Sequence, residues 1–455
     1  MKNICFVTNY KKTYFFDAIG RAIQNEGGKV YWIVLNNMLY NYLLPIYGAD
    51  NLLLINKEQG SIPNEKVGEY KLNELVSVDR ALKYYGEWSY NFLRNIQKPI
   101  YDFISKNNIS YVFGETTYAH EVLMCRMLKD KKELSCRYLH PQTIRIPGYH
   151  FTFLEDEFQS EIYEEVKFDT YTDGYVIKVQ RPTESVVNEK RVKKSMNILS
   201  KLKRSTRFFT QKNMELDDPS ISPTNLSGRL KKGLTEEWNR LTYPFVKTAD
   251  YSEVENKNFV VYTLHKQPEA SVDVVGRYYD NQYTNIQNIW RILPDDWYLV
   301  VKEHTNAIGD RSLSFFKKIK KLRNLVLLNE HINSHNIIQD AKAIFSVSGS
   351  IAYEAALYGK PAFLFVPIFF DKLQNCQTIS LETLRNTNNI KDLLANWEEE
   401  RKNKMPVEDF SKYLLTYSAK GLISDPVTDA RCMEEKNISQ VTSAIRHLIM
   451  NKSSF

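Results

Sequence analysis

The sequence predicts an α/β protein of two doubly wound, Rossmann-like domains with a largely helical insertion between them. Three observations carry that expectation. At 455 residues the chain exceeds what one hydrophobic core usually supports. In both halves, short apolar runs alternate with segments of helical periodicity, as in a parallel sheet with crossover helices. The middle of the chain breaks that alternation.

The first half opens with a buried strand at 3–8 (NICFVT), a helix over 14–26 and a second strand at 29–36 (KVYWIVLN). The run 51–55 (NLLLI) reads as a third strand, 90–107 as helix, and 109–116 (ISYVFGET) as a strand that breaks at Gly114. A helix over 118–130 and a short strand at 136–139 (CRYL) complete a domain expected over 1–155. Residues 156–250 are more polar, with a Pro/Ser/Asn/Asp-rich stretch at 217–228, and form the insertion or linker. Within it, 189–207 carries eight basic residues against one acid, with Val192, Met196, Leu199 and Leu202 at near-helical spacing. Order resumes with a strand at 258–265 (NFVVYTLH), a helix over 277–292 and a strand at 297–304 (WYLVVKEH). A basic helix near 312–321, a strand at 325–329, a short helix near 335–340 and a strand at 343–348 (AIFSVS) follow. The helix 351–359 ends at Gly359, and 361–366 is one more strand. A second Rossmann-like domain is therefore expected over 251–430, with a helix in 431–455 packing back on the first.

Composition narrows the class. With 43% hydrophobic and 25% charged residues the chain is ordinary globular protein, which excludes wholesale disorder. Cys5, Cys125, Cys136, Cys376 and Cys432 are odd in number and scattered, so reduced structural thiols are expected rather than disulfides or a metal site. The N-terminal MKNICFVTNYKK is too short an apolar stretch for a secretory leader. The longest apolar run, 362–370, is far below the roughly 20 residues of a membrane span. A soluble, cytoplasmic protein is expected. The net charge of +7 suits an anionic donor, an acidic glycan or an anionic lipid surface alike, and nucleic acid is not an expected partner. No GxGxxG follows the first strand, and neither a P-loop nor an HExxH motif is present.

Ligands of open parallel sheets collect at the carboxyl ends of the strands. After the strand at 258–265, His265 and Glu269 stand where an apolar core would not hold them, with Gln267 and Ser271 beside them. They suit acid–base work or the orientation of a sugar hydroxyl, although a polar surface loop reads the same way. Lys302, Glu303 and His304 end the next strand; Lys302 and His304 suit a phosphate, and a salt-bridged strand end is the alternative. In 343–361 a strand runs through Ser348, Gly349 and Ser350 straight into a helix, a ready anion site, and Glu354 in the first turns suits ribose hydroxyls. Simple capping by Ser350 and a dipole contact by Glu354 would use the same residues. In the first half, Glu115 follows a strand and opens a helix. If the two sheets face each other it meets a shared cleft as an acceptor-activating base or a covalent nucleophile; otherwise it favours the helix dipole. His140, Arg145 and His150, after the next strand, suit an acidic acceptor.

Taken together, LHKQPEAS (264–271), YYDNQ (278–282), LPDDWYLVVKEH (293–304) and SGSIAYEAALYGKPAFLF (348–365) resemble the bacterial capsule polysaccharide biosynthesis family. That family includes the capsule β-Kdo transferases, and FGETTYAHE (113–121) resembles its N-terminal acidic motif. Thr305 stands where family members usually carry proline. The resemblance implies a GT-B glycosyltransferase with nucleotide on the C-terminal domain, acceptor on the N-terminal one, and no metal or other cofactor. It implies a CMP-activated acidic sugar, typically CMP-Kdo, as donor, and a glycan or lipid-linked oligosaccharide of a surface polysaccharide as acceptor. By position it places His304 and Ser348–Ser350 at the CMP phosphate and Glu354 at the ribose, with Glu115 and Glu269 as catalytic carboxylates. Lys302 and His304 would then stabilise the departing phosphate. The same skeleton also serves glycerophosphate or polyol-phosphate transferases, nucleotide-sugar epimerases and non-catalytic nucleotide-binding subunits of capsule assembly complexes. The basic 189–207 segment is a candidate for peripheral contact with anionic inner-membrane lipid, or a solvated helix packed on its own protein.

Overall fold

The computed structural model describes residues 1–61, 65–178, 217–220, 226–304 and 307–451. The chain opens with β1 (Asn3–Val7), α1 (Lys12–Asn25), β2 (Val30–Val34), α2 (Asn37–Tyr47) and β3 (Leu52–Leu54). The helices α3 (Leu72–Val78), α4 (Glu87–Asn95) and α5 (Gln97–Lys106) precede β4 (Ile109–Phe113), α6 (Ala119–Asp130), β5 (Arg137–Ile144) and β6 (His150–Leu154). After α7 (Leu226–Thr242) come β7 (Phe259–Thr263), α8 (Gln282–Arg291), β8 (Tyr298–Lys302), α9 (Leu313–Ile319), β9 (Leu325–Leu328) and α10 (Ser334–Asp340). Then follow β10 (Ala343–Ser346), α11 (Ser350–Leu357), β11 (Ala362–Leu364), β12 (Cys376–Thr378), α12 (Leu381–Asn386) and α13 (Ile390–Glu400). The chain closes with α14 (Val407–Thr416), β13 (Ser418–Lys420) and α15 (Glu435–Met450).

Two compact units result. The first takes Met1–Asp173, Ile198–Pro223 and Lys412–Phe455; the second takes Gly174–Asn197 and Thr224–Ser411. In the first, the sheet order is β13-β6-β5-β4-β1-β2-β3, with β1 to β5 parallel and β6 and β13 antiparallel. β2 (VYWIV) is buried along its whole length, as expected of a parallel strand covered on both faces. α1 turns Phe15, Phe16, Ile19 and Ile23 inward at helical spacing, onto a core that holds Phe6, Trp32, Phe113 and, from α15, Val441, Ile445 and Leu448.

The second unit is a six-stranded, wholly parallel sheet in the order β12-β11-β10-β7-β8-β9. Its strand order reverses between β7 and β10, the place where an open α/β sheet leaves a crevice at its carboxyl edge. Val260, Tyr262, Leu299 and Phe345 from its strands pack with Ile286 and Ile289 of α8.

Several boundaries differ from the sequence expectation. The short strand at 136–139 is the start of an eight-residue strand that turns back as a hairpin with β6. The first unit continues past 155 because Tyr163 and Val166 lie in its core. The second begins at 224 rather than 251, since α7 and the turn after it bury Tyr243 and Val246 there. Chain return to the first unit starts at 412 rather than 431, because β13 pairs with β6. Among the described residues of 156–250, α7 is the one α-helix, and 156–178 is irregular chain. The basic segment 189–207 and Thr305 lie outside the described residues.

Candidate functional site

In the second unit, His265 follows β7 and Ser346 ends β10, one on each side of the strand-order reversal. Ser346 Oγ lies 3.0 Å from His265 Nε2, and the Val347 N–H donates to the same nitrogen at 3.2 Å. A ring nitrogen that accepts a backbone N–H carries no proton, so the neutral imidazole is protonated at Nδ1 and Ser346 donates its hydroxyl to Nε2. Burial, with His304 and Arg311 nearby, pushes the His265 pKa down to about 3. Ser346 Oγ in turn accepts the Gly349 N–H at 3.0 Å. Gly349 has an ordinary extended backbone (φ −77°), so it is close approach that requires glycine: a Cβ would sit 2.5 Å from Ser346 Oγ and 2.9 Å from His265 Cε1. Ser348 donates its hydroxyl to the Ser271 carbonyl at 2.6 Å. The helix α11 then starts at Ser350 without any side-chain cap. In its first turn the Ala352 N–H donates to the Gly349 carbonyl at 3.0 Å, and with no side chain capping the turn the dipole leaves an electropositive helix start at the reversal point.

A buried glutamine and a half-buried arginine fix the loops around this turn. Gln282, at the start of α8, accepts the His265 N–H at 2.7 Å and returns its amide to the His265 carbonyl at 3.0 Å. Arg311 forks onto both Glu303 oxygens at 2.7 and 2.9 Å and donates to the His265 carbonyl as well. Glu303 is buried, and burial raises its pKa to about 7 against the pull of Arg311. One of its oxygens accepts the His304 N–H at 2.8 Å.

The first unit carries its own cluster where its strand order reverses, between β1 and β4. Glu115, after β4, accepts the Asn9 side-chain amide at 2.7 Å and pairs with Lys12. Lys12 is the first residue of α1, where the helix dipole disfavours a cation; its placement serves Glu115 rather than the helix. Burial alone would raise the Glu115 pKa, but Lys12, His140 and Arg80 together hold it below the ordinary carboxylate range. Glu121 accepts the N–H of Glu115 at 2.7 Å and both the N–H and hydroxyl of Thr117 at 3.2 and 3.1 Å. Desolvation and the Glu115 charge raise Glu121 to about 8, so it is mostly protonated at neutral pH. His140 touches Thr116 Oγ1 at 3.3 Å and is pushed by burial down to about 4. Gly114 lies against Tyr138: a Cβ there would meet its hydroxyl at 2.2 Å.

Neither a family model nor a curated protein matches the chain. Solved structures similar to it include the β-Kdo 2,7-transferase KpsC of Thermosulfurimonas dismutans, at 11% identity over 100% of each chain with a TM-score of 0.38. A putative UDP-N-acetylglucosamine 2-epimerase from Listeria monocytogenes is similar at 11% identity over 100% of this chain and 97% of its own, TM-score 0.28. The calicheamicin glycosyltransferase CalG4 is similar at 9% identity over 100% of each chain, TM-score 0.28. Likenesses this distant leave the chemistry to the residues of the two clusters.

Of the residues expected at a site, the second unit gathers His265, Ser348 and Gly349 at one turn, with Ser350 opening the helix beyond. His304 is exposed just past the end of β8, and Lys302 is buried there. Glu354 is half-buried on α11, one turn before Tyr358, whose pKa it helps to raise after desolvation. Gln267 is tied to Gln282 at 2.6 Å and to Asp273 at 3.1 Å. Glu269 is exposed, its N–H held by Asp273 at 2.9 Å, rather than recessed at the strand end. His265 turns Nε2 to Ser346 and to the Val347 N–H with its ring neutral, and so ties the ends of β7 and β10 together. In the first unit His140 joins Glu115, whereas Arg145 stands exposed at the β5–β6 turn and His150 is buried in β6. Asn9, Lys12, Glu121, Gln282, Arg311 and Ser346 were not foreseen. The rule that pointed to the end of β10 also points to the end of β1, where Asn9 and Lys12 follow. Among the described residues, no three His, Cys, Asp or Glu side chains converge as metal ligands.

Proposed function

We propose that the protein is a GT-B glycosyltransferase, moving a sugar from a nucleotide-activated donor to a glycan or glycolipid acceptor in surface-polysaccharide synthesis. The observation that carries this reading is what stands at the two strand-order reversals. One ends in an uncapped helix start shaped by Ser346 and Gly349, the other in an ionised carboxylate held by Asn9 and Lys12. The first suits a nucleotide phosphate. The second suits charge that develops at an anomeric carbon. The motif resemblance favours a CMP-linked acidic sugar, Kdo or a relative, as donor.

In this reading the amides opening α11 meet the donor phosphate, and Lys302 and His304 stabilise it as it leaves, so the chemistry needs no metal. Glu354 binds the ribose. Ser346, Ser348, Gly349 and His265 hold the turn in shape. A depressed pKa makes Glu115 a weak base, so it acts as the nucleophile at the anomeric carbon or as the counter-charge to an oxocarbenium ion. His140 and Thr116 border the acceptor side, and Glu269 is the second carboxylate candidate.

A thermal-shift panel of CMP, CDP, UDP and GDP tests the donor class: CMP is expected to raise the melting temperature most. Stabilisation by another nucleotide reassigns the donor, and none at all favours a non-catalytic subunit. Glu115→Gln is expected to lower transfer by about 10²–10⁴-fold. Near wild-type transfer by both Glu115→Gln and Glu269→Gln sinks the catalytic assignment. Acceptor-independent conversion of the sugar would mark an epimerase, and phosphorus retained in the product a phosphotransferase.

A further inference from the structure

α7 has two faces of different character. Its inner side is anchored in the second unit: Asn239 donates to the Gly309 carbonyl at 3.1 Å, and just beyond the helix Tyr243 donates to Glu330 at 2.9 Å. Tyr243 also packs edge-on against Phe316, and Val246 is buried. On the outer side Leu234, Trp238, Leu241 and the following Phe245 are 70%, 68%, 64% and 74% exposed. The spacing of four and three residues puts Leu234, Trp238 and Leu241 on one narrow stripe of a 3.6-residue helix, and Phe245 stands exposed in the short turn, Tyr243–Phe245, that follows it. Scattered exposed apolar residues are normal; three large ones aligned on an anchored helix, with a fourth in the turn that follows, are not.

We propose that this stripe is a docking surface for an anionic lipid bilayer. Charge selects the occupant. Exposed Lys231 and Lys247 stand at the two ends of the stripe, and residues 226–247 hold five basic side chains against two acids. One acid, Glu237, is paired with Arg240. The chain's own 189–207 segment has eight cations against one acid, so charge disfavours it as the cover, and equally disfavours a second copy of the same basic face. Leu, Trp and Phe on one side with lysines at the margins is the chemistry of a helix that lies in the plane of a membrane interface. No helix among the described residues is long and apolar enough to cross a membrane, so contact here would be peripheral.

The test is sedimentation of the full-length protein with phosphatidylglycerol–phosphatidylcholine vesicles and with phosphatidylcholine vesicles. Wild-type protein is expected to pellet with the anionic vesicles, less so at high salt, with tryptophan emission shifting to the blue. Trp238→Ser/Phe245→Ser is expected to weaken partitioning roughly a hundredfold, and Lys231→Glu/Lys247→Glu to weaken it on anionic vesicles alone. Because these side chains are exposed, both variants should keep the wild-type melting temperature, which separates lost docking from lost folding. The proposal is overturned if wild-type protein stays in the supernatant, or if Trp238→Ser/Phe245→Ser pellets as wild type does. It is also overturned if light scattering shows that the apolar substitutions turn a dimer into a monomer, which would make the occupant a second copy.

Discussion

A methyl group at position 349 would meet Ser346 Oγ and His265 Cε1 at less than van der Waals distance, and both are fixed by hydrogen bonds to each other. Gly349→Ala is therefore expected to cost about 1–3 kcal/mol of stability and to weaken nucleotide binding at least about tenfold, read by denaturant titration and by nucleotide-induced thermal shift. Glu121 offers a pH test. Its folded pKa of about 8 lies above the ordinary 4.5, so its proton stabilises the fold fully below about 4.5 and that contribution is lost as pH rises through 8. Glu121→Gln, which stays neutral, should gain on wild type in unfolding free energy across that window, measured by urea titration at each end. At this scale the sequence was partly legible. Ser348 and Gly349 stood out because strand meets helix there with no spacer. Ser346, Gln282 and Arg311 did not, since each acts on His265 from 81, 17 and 46 residues away and a one-dimensional reading has no register for such contacts.

The loop after β8 is an element held by one buried ion pair. Arg311 neutralises Glu303 and ties the loop to the His265 carbonyl at the end of β7. Arg311→Met should cost about 1–3 kcal/mol at neutral pH by leaving Glu303 and the His265 carbonyl without their donor, Glu303 taking up a proton in its place, and the double change with Glu303→Gln should recover part of that loss. Urea denaturation of the single and double variants checks it. Secondary structure was readable where apolar runs were long, as in β2, β7 and β8, because burial on both faces demands them. It was unreadable where an element is short or polar. β13 is the tripeptide Ser-Ala-Lys, which has no strand signature of its own and is a strand only because β6 offers it an edge. The expected helix over 90–107 is two, α4 and α5, which meet at Ile96.

The whole molecule is two units of which only the second is nearly continuous in sequence. The first borrows β13 and α15 from the far end of the chain, and Val441, Ile445, Leu448 and Ile449 of α15 lie in its core. Burying four such side chains contributes roughly 1.5–3 kcal/mol each, comparable with the net stability of an entire domain. A chain stopped after Ser411 should accordingly lose the first unit to limited proteolysis while a fragment from the second survives, and nucleotide should protect that fragment. Alternating patterns announced both sheets from sequence, and the expected helix in 431–455 does pack back on the first unit as α15; the part that nothing local announced is β13, too short and polar to show which sheet it joins. Synthesis gives this arrangement a direction in time. The stretch 224–411, most of the second unit, emerges from the ribosome as one run and can close on itself, while His150–Thr152 of β6, made long before, wait for their antiparallel partner until 418–420 are translated. The earliest part of the chain is thus the last to be finished, and a polypeptide abandoned before that point carries an open strand edge that chaperones and proteases can read as incomplete.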